Sequence, residues 1–104
     1  MTEDGKVKLG DFGLSRKLGE QSVFAKTNVG TPYYMAPELY DKDTYNEKID
    51  IWALGCIVFE MANLTQPFKA SNILQLAKTI KEKKTPALNP GFSKNLQMIL
   101  NAML

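Results

Sequence analysis

The stretch NEKIDIWALGCIVFEMANL, residues 46–64, constrains the fold more than any other part of the chain. Its apolar side chains fall on almost every face of the helix it predicts, and a helix of that kind is expected to be buried all round. The chain has 104 residues, enough for one small core, so its other elements must gather about this segment. Two amphipathic helices are available to do so. Ser71 can cap one over about 71–84, with Ile73, Leu76, Ala77 and Ile80 at i, i+3, i+4 and i+7. Lys78, Lys81, Lys83 and Lys84 lie towards its negative end, and Pro86 stops it. Ser93 can cap the other over about 93–104, with Leu96, Ile99, Leu100 and Met103 on one stripe. Ahead of the long helix, Pro37 opens a short helical turn. At the start, Glu3-Asp4-Gly5 is a turn signal, and Lys6-Val7-Lys8-Leu9 alternates with the period of a half-buried strand, predicting a short β-hairpin. Together these segments predict a mainly α fold with a hairpin remnant at its N-terminus.

Charge narrows the function classes less than it might. Twelve lysines and one arginine stand against eleven acids, for a net charge of +2. Such a balance gives no reason to invoke nucleic acid or an anionic membrane. The one cysteine, Cys56, lies in the apolar run and cannot form an internal disulfide, which suits a buried thiol in a reducing compartment. The opening MTEDGKVK is polar, unlike a secretory leader. Gly55, Glu60 and Asn63 interrupt the longest apolar segment too soon for a membrane span. A soluble, cytoplasmic chain is expected.

Residues 14–35 form a long polar stretch with neither helical nor strand period, and loops of that length inside a compact domain are usually functional. Asp11-Phe12-Gly13 precedes it, Gly30-Thr31-Pro32 and Ala36-Pro37-Glu38 close it, and Asp50-Ile51-Trp52 with Gly55 follows. A lone Asp-Phe-Gly recurs by chance, whereas these motifs in this order and spacing are specific. They resemble the activation segment and following helix of a protein kinase, at about 11–38 and 46–64. FAKTNVGTPYYMAPELY and YNEKIDIWALGCIVFEM resemble the NIMA-related serine/threonine kinases in particular. The resemblance runs along essentially the whole chain and implies a piece of the kinase C-terminal lobe.

The resemblance also implies roles for individual residues. Asp11 stands where the family binds the Mg²⁺ that bridges the ATP phosphates, a task that needs an anionic oxygen. Phe12 and Gly13 complete that cofactor-binding motif, one packing as a switch and the other letting the backbone turn. Thr27, with Ser22 as a second candidate, matches the regulatory phosphosite. Thr31 matches the loop threonine that contacts the catalytic acid in enzymes acting on Ser or Thr of protein substrates. Glu38, Asp50 and Trp52 match scaffold positions: Glu38 pairs with an arginine further along, Asp50 accepts amides of the catalytic loop, and Trp52 anchors the long helix.

Several parts of the kinase pattern do not occur in this sequence. It has no histidine, and its one arginine, Arg16, follows Asp11, so no His-Arg-Asp catalytic loop is present. A Gly-rich phosphate loop and its ATP-binding lysine are likewise missing. With neither the general base nor the nucleotide-binding lobe, no residue here qualifies as catalytic. The chain is expected to be inactive alone and to bind neither ATP nor Mg²⁺ tightly. Met1 reads as an internal methionine of a longer kinase. Two alternatives stay open: a non-catalytic module that occupies the partners of a related kinase, and a truncated remnant with no function. In either case the apolar helix, lacking its family cover, is expected to promote self-association.

Overall fold

The computed structural model describes residues 2–10, 32–40, 46–82 and 84–104. In chain order these form 3-10 turns at Pro32–Tyr34 and Pro37–Tyr40, then α1 (Lys48–Asn63), α2 (Ile73–Glu82) and α3 (Lys94–Met103). The Pro37 turn and the three helices fall where the sequence predicts them, and the fold is mainly helical.

The N-terminal turn forms without its hairpin. Thr2 N–H donates to the Lys6 carbonyl and Gly5 N–H to that of Thr2, both at 2.9 Å, while Gly5 takes the left-handed φ of 77° that the turn requires. Val7 and Leu9, expected on a half-buried face, are 84% and 86% exposed, and no strand occurs among the described residues. Alternation creates only the potential for a strand. The backbone groups also need a neighbouring ladder, and none is offered to residues 6–9 by the described residues.

Glu47, the cap residue of α1, makes no side-chain cap bond, and Asn46 ahead of it supplies one instead, its side-chain oxygen accepting the Lys48 N–H at 2.8 Å. The helix ends at Leu64, whose left-handed φ of 54° lets its N–H reach the Glu60 carbonyl at 2.7 Å. Trp52, Gly55, Cys56 and Phe59 are buried along one side. The expectation of burial all round fails on the other side, where Ile51, Leu54, Ile57 and Met61 are exposed. An apolar surface is covered only where packing partners are present, and among the described residues Tyr34 borders Ile57 and Met61 without closing over them.

The cap of α2 also departs from expectation. Asn72, not Ser71, accepts the Gln75 N–H at 2.8 Å, while the Ser71 hydroxyl bonds the Gln75 side chain. Both residues are competent caps, and the one at the helix boundary takes the role. Leu76 and Ile80 are buried as expected, but Ile73 at the first turn is exposed. In α3 the Ser93 cap forms as predicted, accepting the Leu96 N–H at 3.2 Å. Leu100 is fully buried and Leu96 and Met103 are partly so, while Ile99 is exposed.

One core cluster joins Ala36, Trp52, Cys56, Phe68, Leu76 and Ile80. Trp52 and Phe68 stack with ring centroids 5.6 Å apart and planes 9° from parallel. Helix α3 meets α1 at Gly55, where a Cβ would lie 3.0 Å from Leu104 Cδ2 and from Met103 Cβ. Two amide side chains pin the link between α2 and α3. Asn63 donates to the Ala87 carbonyl and accepts the Asn89 N–H, at 3.1 and 2.8 Å. Gln97 accepts the Leu88 N–H and donates to the Pro86 carbonyl, at 2.7 and 3.3 Å.

Candidate functional site

Of the residues singled out from the sequence, Glu38, Asp50 and Trp52 are described. Asp11, Phe12, Gly13, Ser22, Thr27 and Thr31 lie outside the described residues. The core draws the described ones into one neighbourhood. Ala36 is 1% exposed within the Trp52 cluster, and its carbonyl accepts the Leu39 N–H at 3.0 Å to begin the turn that carries Glu38. Leu39 and Tyr40 of the same turn pack against this cluster, tying Ala36-Pro37-Glu38 to α1 and α2.

Within that neighbourhood the two acids are held by their backbones alone. Asp50 is exposed in the first turn of α1, where the helix dipole favours a carboxylate, and its N–H reaches the Glu47 carbonyl at 3.2 Å. Neither the Asp50 nor the Glu38 carboxylate engages a hydrogen-bonding or ionic partner among the described residues. Trp52 is the reverse case: its ring is packed, yet its buried Nε1–H has no acceptor among the described residues. Three scaffold positions thus present two carboxylate acceptors and one indole donor with unused bonding capacity.

A fourth polar group was not legible in the sequence. The Tyr34 hydroxyl donates to Glu60 Oε2 at 2.6 Å, joining the Pro32–Tyr34 turn to α1 across 26 residues of sequence. The Glu60 carboxylate beside it, with lesser help from burial, pushes the Tyr34 hydroxyl above its ordinary value. Tyr34 and Glu60 border an open groove whose apolar walls are Ile57, Met61 and Leu64. Glu60 is the one acid between Asp50 and the end of α1, and that isolation in an apolar run was the available signal. Cys56, one helical turn before Glu60, is fully buried and free; burial, reinforced by the Glu60 charge, pushes its thiol up to about 11. A thiol so placed stays protonated and is a packing group rather than a nucleophile.

Among the described residues no group of three His, Cys, Asp or Glu side chains could hold a metal ion. The expected metal ligand, Asp11, is outside them.

Residues 1–104 match the family model described as the protein kinase domain. The chain belongs to the protein kinase family. Its relatives include the human serine/threonine-protein kinase Nek2, 50% identical over 103 residues, an alignment that covers 97% of this chain and 23% of that protein. Mouse serine/threonine-protein kinase Nek1 is 41% identical over 103 residues, covering 99% of this kinase chain and 9% of the relative. The probable serine/threonine-protein kinase nek2 of Dictyostelium discoideum is 41% identical over 104 residues, with 100% and 25% coverage. This kinase chain therefore spans a quarter or less of the length of those relatives, which are NIMA-related serine/threonine kinases as the motifs suggested. No helix among the described residues is long and apolar enough to cross a membrane.

Proposed function

We propose that this chain is the substrate-lobe portion of a NIMA-related protein serine/threonine kinase, and that phosphoryl transfer from Mg-ATP belongs to a longer parent polypeptide. One observation carries the reading. The kinase motifs occur in order over a chain that matches the family from end to end, and Ala36 and Trp52, from two of them, share one core cluster.

Protein kinases accelerate transfer by positioning and electrostatics, which require both a nucleotide cradle and a base. In the parent, Asp11 would hold Mg²⁺, with Phe12 and Gly13 completing the cofactor-binding motif. The chemistry that Mg²⁺ would supply there is charge neutralisation at the phosphate, while the chain's own residues would position what surrounds it. Thr31 would serve as the threonine that contacts the catalytic acid, and phosphate on Thr27 or Ser22 would be the regulatory modification. Glu38 receives an arginine, and Asp50 the amides of the catalytic loop. The unpartnered state of both carboxylates among the described residues supports these roles. So does Trp52, which is buried in the first half of α1 and stacked on Phe68.

The 104-residue chain alone is inactive in this reading, and its parent is a cytoplasmic enzyme acting on protein substrates. The purified chain incubated with radiolabelled ATP and casein is expected to transfer no label above a protein-free blank. The in-frame parent is expected to transfer label and to lose that activity on Asp11→Ala. Transfer by the short chain that disappears with Asp11→Ala would overturn the proposal, as would a parent indifferent to that substitution.

A second reading, a non-catalytic binding module, is favoured by the exposed apolar side of α1. Apolar patches of that kind associate in water, so the isolated chain is expected to self-associate. Sedimentation velocity across a concentration series measures it, and a monomer at every concentration would contradict it.

A further inference from the structure

No further inference is drawn: the strongest candidate, the exposed apolar stripe of Ile51, Leu54, Ile57, Met61 and Leu64 on α1, carries none because nothing in the structure shows what covers it.

Discussion

On one side of α1, Trp52, Cys56 and Phe59 are packed away from water; on the other, Ile51, Leu54, Ile57 and Met61 stand in it. Residue type hardly distinguishes the two sides, since both are apolar and both belong to one continuous helix. The difference lies in what packs against them. Phe68, Ala36, Leu76 and Ile80 surround the first side, and the end of α3 closes over Gly55. Among the described residues the second side meets Tyr34 at an open groove, which leaves it partly in water. The first therefore contributes more transfer free energy to folding, at roughly 25 cal/mol per Å² of apolar area removed from water.

The largest effect expected from this contrast comes from truncating the aromatic centre of the buried side. Trp52→Ala removes a ring stacked on Phe68 and should cost about 3–5 kcal/mol, enough to unfold much of a small chain. Leu54→Ala on the other side should change stability by less than about 0.5 kcal/mol. Urea titrations of both variants test the contrast, and equal losses would erase it.

Alkaline pH probes the same buried side through its thiol. The folded state holds Cys56 at about 11, above the ordinary 9.0, because the thiolate would be buried. Its contribution is therefore complete below pH 9 and disappears as pH rises from 9 through 11, a loss on the order of 2 kcal/mol. Stability measured from pH 7 to 11 should fall more steeply in the native chain than in Cys56→Ala, in which lysine and tyrosine titration remain. Parallel curves would mean that the thiol is not buried in solution.

Gly55→Ala sharpens the comparison at the point where the buried side is tightest. The added methyl would meet Leu104 and Met103 at 3.0 Å, a crowding of about 1–3 kcal/mol partly offset by the better helix propensity of alanine. Pairing it with Leu104→Ala should recover part of the loss, because that change removes the crowded Cδ2. A strictly additive double mutant would show that the notch is not tight.

The smallest effect on stability, and the clearest on behaviour, is expected from charging the exposed side. Leu54→Lys with Met61→Lys should leave the urea midpoint nearly unchanged while lowering hydrophobic-dye fluorescence and sedimentation-detected association. Association that persists in the double variant would locate it elsewhere on the chain.

Helix positions were legible in the sequence because periodicity and caps are local. Ser93 caps as its place before the α3 stripe implies, and Leu76, Ile80 and Leu100 are buried where the spacing put them. What failed depended on distant partners. The alternation of residues 6–9 could not reveal that no strand lies beside it among the described residues, nor could the composition of α1 reveal that the described residues leave one side exposed. The choice between Ser71 and Asn72 turned on a one-residue difference in where α2 begins. The Tyr34 to Glu60 bond and the amides of Asn63 and Gln97 bridge residues up to 26 apart, a span that leaves no period to detect. At the candidate site, motif order placed Trp52 in the core and identified the family. That Glu38 and Asp50 have no side-chain partner among the described residues emerged only with the structure.

The amide grip of Asn63 and Gln97 on residues 86–89 makes that link sensitive to its own length. Each side chain engages one backbone N–H and one carbonyl, so together they recognise the alternation of donors and acceptors along the tether without reading its side chains. Side-chain variation at Ala87 and Leu88 is then compatible with the grip, whereas inserting or deleting a single residue between Pro86 and Asn89 would put the two amides out of phase. A spacer residue added ahead of Pro86 escapes that penalty. Residues 86–89, within the junction between α2 and α3, are thus free to drift in composition while being held to a fixed count.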